Sequence, residues 1–255
     1  MSTLLITYCD TIQTIAFNRP LKRNAISRQC YTEIVQALDE GKNNESVSVT
    51  LLTGVGKFYS SGTDLTDEYA DRELSLTATY NLVKAFIDYP KLLVALVNGP
   101  AIGIACTTLG LCDLVFAYKT ATFTCPFHRL GLTAEGCSTI TFPLIMGKLR
   151  ATEFLYSGRT ITAREAVEYG LVNEIIEDGP IGLDNLIKRL TSQIAKHKLP
   201  VIYTKSMILQ GLISKKELHA ANKRECERLQ ERFNSNDFHQ SIIDFINRKD
   251  MKNKL

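Results

Sequence analysis

The sequence predicts an α/β protein in which buried strands are joined by helical crossovers and the later part of the chain is helical. Three observations carry this. Leu92–Val97 (LLVALV) is an unbroken apolar run of strand length, the pattern of a strand covered on both faces. Val47–Thr53 (VSVTLLT) is a second strand, preceded by a stretch with apolar residues at helical spacing. From Cys137 onward the pattern becomes almost wholly helical.

Leu4–Tyr8 and Thr11–Phe17 alternate as the arms of a hairpin turning at Cys9-Asp10, and Asn18–Asn24 is a polar, basic loop. Ser27 caps a helix to about Gly41, because Tyr31, Ile34, Val35 and Leu38 share one face and Gly41 marks a stop. Val47–Thr53 then completes a β-α-β crossover. Asp67–Leu76, charged and aperiodic, reads as a mobile loop or a short exposed helix beside a cleft. Thr77–Tyr89 is helical, with Leu82, Val83, Phe86 and Ile87 on one side, and leads into Leu92–Val97. Asn98-Gly-Pro100 turns the chain, the small residues from Gly103 open a tightly packed helix, and Leu114–Ala117 and Ala121–Thr124 are short strands. Helices follow at Phe142–Met146, Ala151–Ser157, Ala163–Tyr169 and Leu183–His197, with Val172–Ile176 the one late strand. Pro200 breaks the helical run. Lys215–Phe233 is a long helix whose thin stripe (Leu218, Ala221, Leu229, Phe233) needs support from the main domain or a neighbouring subunit.

With 255 residues, 45% of them hydrophobic, the chain can bury one substantial core. A net charge of +3 with basic residues scattered gives no nucleic-acid surface. Seven cysteines without a CxxC pair read as reduced, buried thiols of an intracellular protein rather than a zinc site or disulfide framework. No apolar run reaches the roughly 18 to 20 residues a membrane span needs, and the N-terminus has no signal pattern, so a soluble protein is expected. The C-terminal Asn253-Lys254-Leu255 differs by one residue from the Ser-Lys-Leu peroxisomal address. Gly54-Val-Gly-Lys57 fails the spacing of a phosphate loop, and His128, His197, His219 and His239 have neither metal spacing nor a serine elbow.

Chemistry concentrates on two glycine turns, each following a strand: Ser60-Ser-Gly-Thr-Asp64 and Asn98-Gly-Pro-Ala-Ile-Gly-Ile104. Strand, small-residue turn and helix in that order present free main-chain N–H groups, which favour negative charge such as a developing oxyanion. Either turn alone is equally an ordinary tight turn of an α/β protein.

Asn18-Arg-Pro with Asn24-Ala, the SSGTD turn, NGPAIGI, Ala121-Thr-Phe-x-x-Pro-Phe and Leu130-Gly-Leu-x-x-Glu-Gly-Cys-Ser occur in the order of the enoyl-CoA hydratase/isomerase (crotonase) superfamily, which the chain resembles from about Leu4 to its C-terminus. Within that superfamily it is similar to the peroxisomal-type delta3,delta2-enoyl-CoA isomerases, on the motif Ala134-Glu-Gly-Cys-Ser138. The resemblance implies a crotonase (ClpP-like) spiral of β-β-α units, with a catalytic core over 1–198 and a helical C-terminal trimerisation region over 199–255. It implies an oxyanion hole from the N–H groups of Thr63 and Ile104, each worth about 3 to 4 kcal/mol by analogy with acyl-transfer holes. Ser60, Ser61, Gly62, Asp64 and Gly103 are then placed along the coenzyme A arm and acyl thioester. Lys22 and Arg23 are candidates for the coenzyme A phosphates, and a solvated loop explains them equally well. Thr133 and Phe127 wall the acyl pocket, although core packing accounts for Phe127 as readily.

The two glutamates with which hydratases of this superfamily activate water fall at Thr107 and Phe127, neither of which can do so. Glu135 is the only glutamate in the matching motifs. Flanked by small and apolar residues, it is desolvated and made more basic, as a C–H base requires; the bland alternative is a surface glutamate capping the helix that starts near Gly136. The expected activity is a delta3,delta2-enoyl-CoA isomerase, with a coenzyme A thioester as substrate and neither cofactor nor metal. The rival expectations are a non-catalytic acyl-CoA-binding member, or another crotonase enzyme such as a hydratase or thioesterase. Members often carry an N-terminal acyl-CoA-binding domain, and this chain is expected to work without one. A homotrimer or dimer of trimers is expected, together with peroxisomal import through a receptor reading Asn253-Lys254-Leu255; mitochondrial or cytosolic location is the alternative.

Overall fold

The computed structural model describes residues 2–194 and 196–252, with the backbone alone for 68–70 and 245–252. The tripeptide Asn253-Lys254-Leu255, expected to be read as an import signal, lies outside the described residues. β1 (Leu4–Cys9) and β2 (Ile12–Phe17) form the expected antiparallel hairpin. α1 (Arg28–Asn43) starts where Ser27 Oγ accepts the Cys30 N–H at 3.3 Å, and it crosses over to β3 (Val49–Gly54), parallel to β2. α2 (Leu65–Ala70) and α3 (Arg72–Asp88) lead to β4 (Leu92–Val97), parallel to β3. After β5 (Ala101–Ile102), α4 (Ile104–Thr107) and a 3-10 turn comes β6 (Leu114–Tyr118), parallel to β4. β7 (Thr122–Thr124), α5 (Ser138–Met146), α6 (Lys148–Ser157), β8 (Thr160–Thr162), α7 (Ala163–Glu168) and β9 (Glu174–Ile176) follow. The chain closes with α8 (Pro180–Arg189), a π-helical turn over Leu190–Ile194, then α9 (Lys198–Leu212), α10 (Lys215–Phe233) and α11 (Asn236–Lys252).

The main sheet runs β1-β2-β3-β4-β6-β9, and a small second sheet runs β5-β7-β8. β4 explains why its sequence lacks polar alternation. Leu93, Ala95 and Val97 join Ile34 and Leu38 of α1 and Leu82, Val83 and Phe86 of α3 in one core. Leu92, Val94 and Leu96 join Ile12, Val49 and Leu51, under Leu186 of α8, in another. Both faces are dry, so both sets of alternating side chains are apolar.

Several expectations are corrected. Gly41 does not end α1, which runs on to Asn43; it is a point of close approach, where a Cβ would stand 2.1 Å from Gln13 Oε1. Of the two readings of Asp67–Leu76 the helical one holds rather than the loop: the stretch spans the end of α2 and the start of α3, with Asp71 between them. The small-residue segment after Gly103 is four residues of α-helix and then a 3-10 turn. Pro200 does not break a helix but lies in the first turn of α9, where its missing N–H has no intrahelical acceptor to lose. β8 and α11 were not foreseen.

α9 is fastened to the sheet by a buried ion pair: Lys205 Nζ reaches Asp113 Oδ2 at 2.7 Å and the Lys91 carbonyl at 2.8 Å. The α10 stripe faces inward against α3, burying Leu218, Ala221, Asn222, Glu225, Cys226, Leu229 and Phe233. Among the described residues no helix is long and apolar enough to cross a membrane.

Candidate active site

Both glycine turns follow the carboxyl ends of parallel strands, the first after β3 and the second after β4, the edge where open α/β sheets form their crevices. Main-chain hydrogen bonds clasp the two turns together. Ser60 N–H donates to the Pro100 carbonyl at 3.1 Å, and Ile102 N–H donates to the Ser60 carbonyl at 3.0 Å. Gly62, with φ 79°, lies so close to the second turn that a Cβ would stand 2.5 Å from the Ile102 carbonyl oxygen. Gly103 is required by its own backbone, φ 58° and ψ −128°, rather than by crowding.

Asparagines in the flanking motifs hold the turns from behind. Asn98 Oδ1 accepts the Gly54 N–H and its Nδ2 donates to the Gly56 carbonyl, both at 2.9 Å. Asn24, 1% exposed, donates from Nδ2 to the carbonyls of Val55 and Phe58, while its Oδ1 accepts the Arg19 N–H. Each amide thus replaces ladder bonds that the departing chain would lose.

The N–H groups on either side of Thr63 explain its orientation. Ile26 N–H donates to the Gly62 carbonyl and Asp64 N–H to the Ile26 carbonyl, so the Thr63 N–H is turned away from that ladder and meets no acceptor among the described residues. The Ile104 N–H, first of α4, likewise has none, whereas the neighbouring Gly103 N–H is taken by the Thr124 carbonyl. Main-chain donors left over beside two clasped turns can receive an anionic oxygen without any side chain moving.

Glu135 arrives from the loop between the 3-10 turn Phe127–Leu130 and α5. It is 8% exposed, so the surface-glutamate alternative does not hold. Gly136 and Cys137 are both left-handed, with φ 71° and 59°. A Cβ on Gly136 would stand 2.4 Å from Thr107 Oγ1 and 3.3 Å from Ile104 Cδ1, so the residue beside Glu135 lies directly on the helix that begins with the Ile104 amide. The Glu135 carbonyl accepts Ser138 Oγ at 2.7 Å. Burial pushes the nearby Cys125 thiol well above its ordinary range, and the Glu135 carboxylate adds to that shift.

Other predicted residues are placed differently from one another. The Ser60 hydroxyl is spent inside its turn, donating to the Asn24 carbonyl at 2.8 Å and accepting the Gly62 N–H at 3.1 Å. Ser61 is half-buried and donates its N–H to the Arg23 carbonyl. Thr63 Oγ1 meets the Tyr31 hydroxyl at 2.8 Å. Asp64 pairs with Arg19 at 3.0 Å; burial raises its carboxyl, but hydrogen bonds from Thr66 and Arg19 outweigh this and hold it below the usual range. It is a strut of the turn. Phe127 is 5% exposed within the main core, and Thr133 is half-buried, its Oγ1 buried without a partner among the described residues. Lys22 and Arg23 are exposed, the latter with its guanidinium 5.7 Å from the Phe58 ring centre. Sequence reasoning missed Arg19, Tyr31 and above all Glu225. The last was legible as a carboxylate standing on the apolar stripe of α10, between Ala221 and Leu229.

Comparison with known proteins finds relatives over nearly the whole chain. The chain is 42% identical to human enoyl-CoA delta isomerase 2 over 97% of its own length, spanning 64% of that protein. It is 40% identical to the mouse protein named enoyl-CoA delta isomerase 3, peroxisomal, over 96% of its length and 78% of the relative's. Among solved structures, the enoyl-CoA hydratase/isomerase from Pseudoalteromonas atlantica superposes with a TM-score of 0.89 at 30% identity, covering 96% of this chain and 97% of that one. The chain therefore spans just under two thirds of the first relative's length. The family model described as enoyl-CoA hydratase/isomerase matches residues 8–254, and the chain belongs to that family, with its crotonase fold.

Proposed function

We propose that the chain is an enoyl-CoA delta isomerase that moves the double bond of a 3-enoyl-CoA to give the trans-2-enoyl-CoA, an auxiliary step in the β-oxidation of unsaturated fatty acids. The observation that carries this reading is a buried carboxylate, Glu135, on a loop packed against the helix whose first amide is unclaimed, with Thr107 and Phe127 where a hydratase needs its glutamates. The delta isomerase relatives support the same activity. Coenzyme A enters as the substrate thioester, along Ser61, Gly62 and Gly103, with Arg23 and Lys22 at the rim for its phosphates.

In this mechanism the Thr63 and Ile104 amides hold the thioester oxygen. The Glu135 carboxylate takes a proton from C2, and the electron pair of that C–H bond moves into a dienolate whose negative charge rests on the held oxygen. The same carboxyl returns the proton to C4, the C2–C3 double bond forms, and the thioester carbonyl is restored. One base suffices because the proton leaves and returns on one face, and no water is consumed. Burial matters here because a desolvated carboxylate is a stronger base. Glu135→Gln is expected to lower turnover of 3-hexenoyl-CoA by about 10²- to 10⁴-fold, the usual contribution of a positioned acid–base group. Turnover like that of the wild type removes the assignment.

The reading extends to assembly. α5, α6 and α9 expose Leu144, Leu149, Tyr156, Leu199, Tyr203, Met207 and Leu212, and an apolar groove of about 550 Å³ runs between α5 and α9. The groove takes no residue from the two turns and does not include Glu135, so it is separate from the chemistry and suits contact between copies in a trimer or dimer of trimers. Sedimentation analysis is expected to give a mass of three or six chains, and a monomer would contradict this. Peroxisomal location is supported by Asn253-Lys254-Leu255 and by the mouse relative's name. A fluorescent reporter ending in those residues is expected in peroxisomes; a reporter that stays cytosolic rejects that location.

A further inference from the structure

The buried charge that the mechanism leaves unused is Glu225. It stands on α10, 5% exposed, and reaches across to the start of α5. Its Oε2 accepts the Cys137 N–H at 2.7 Å; its Oε1 accepts the Thr139 N–H at 3.0 Å and the Thr139 hydroxyl at 2.5 Å. Cys137 is the N-cap of α5, so these are amides that a helix start leaves without intrahelical acceptors. A side chain 88 residues away in sequence does the work that a local Ser or Asp does at other helix starts. The N-cap residue itself is a left-handed cysteine that makes no side-chain cap.

This cap is two residues from Glu135. Between them, Gly136 and Cys137 both take left-handed backbone, a conformation that costs a non-glycine residue energy and needs outside support. Glu135 is held at its own carbonyl by Ser138, and Glu225 supplies the next anchor at the Cys137 N–H. Both Glu225 oxygens accept and neither faces an acceptor among the described residues, which is the bonding of an ionised carboxylate.

We propose that Glu225 is the positioning residue for Glu135: it fixes the bend that carries that carboxylate. The inference rests on the reading of Glu135 as the base. Burial pushes the Cys226 thiol up to about 12, with Glu135 and then Glu225 adding to the shift, so the two carboxylates lie within electrostatic reach of one thiol. Burial also raises the Glu225 carboxyl itself, against the hydrogen bonds from Thr139 and Cys137 and the positive charge of Arg224.

The test is the pair of kcat and KM values for 3-hexenoyl-CoA in Glu225→Gln, measured beside Glu135→Gln. Gln keeps the volume and one acceptor but removes the charge. The expected result is a kcat lower by about tenfold or more, of the order a misplaced catalytic group costs, with KM unchanged. An inactive Glu135→Gln beside a Glu225→Gln with unchanged kcat overturns the positioning role alone. A lowered kcat accompanied by a raised KM also overturns it, since that is loss of the site as a whole and not of the placement of the base. An active Glu135→Gln instead removes the underlying reading of the base. If Glu225→Gln does not fold, Thr139→Val removes one hydroxyl donor at an exposed position; a smaller fall in kcat at constant KM then supports the proposal, and an unchanged kcat overturns it.

Discussion

Two main-chain hydrogen bonds, Ser60 N–H to Pro100 O and Ile102 N–H to Ser60 O, join the turns that leave β3 and β4. The rest of the site depends on this clasp. It brings together two chain segments about forty residues apart in sequence, and it fixes backbone against backbone, which side-chain rotation cannot disturb. Gly62 permits the approach, because any side chain there meets the Ile102 carbonyl. With the carbonyls on one side of each turn spent in the clasp and in the Ile26 ladder, the Thr63 and Ile104 amides are left over on the other side. The site's donors are therefore a by-product of how the turns pair. Donors fixed in this way need no reorganisation when charge develops, which is where electrostatic catalysis gains most.

The later helices complete what the sheet begins. Gly136 settles on Thr107 and Ile104, tying the Glu135 loop to α4, while α10 and α11 hold the same loop from outside. Arg232 Nε donates to the Gly131 carbonyl at 2.8 Å, and Gly131, with φ 66°, lies against the backbone of Phe238. Phe233, Phe238 and Ile242 form a small core with Leu65, Leu76 and Leu132, joining the helices that follow the first turn to the loop that carries Glu135. Arg72 on α3 donates to the Phe233 carbonyl, closing the same circuit. Stability of the C-terminal helices and geometry of the site are thus one property rather than two.

Much of this was readable because local rules and tertiary context agreed. The hairpin, the Ser27 cap, β4 to the residue and the long α10 follow from alternation, capping and helical spacing. Glu135 stood out as the glutamate in the matching motifs, and the structure buries it. What was not readable depends on partners far away in sequence. Gly41 looked like a stop because a glycine late in an amphipathic run usually is one; only the arrival of Gln13 shows it as a contact. Ser60 looked available to a ligand, yet Asn24 and Gly62 consume its hydroxyl. β8 is three residues long and exists because β7 offers it an edge, which no periodicity over three residues can announce. α11 is a different case: the helical spacing of Phe238, Ile242 and Ile246 was present in the sequence, and among the described residues Phe238 and Ile242 are buried.

The account stands on a thioester oxygen being gripped by two main-chain amides, and the vibration of that carbonyl reports the grip directly. Hexanoyl-CoA, which has no double bond to move, can be labelled at the carbonyl carbon and its stretch read by difference infrared spectroscopy in the bound state. The account predicts a band at clearly lower frequency than for the same thioester in water. A band at its aqueous position or above would contradict it.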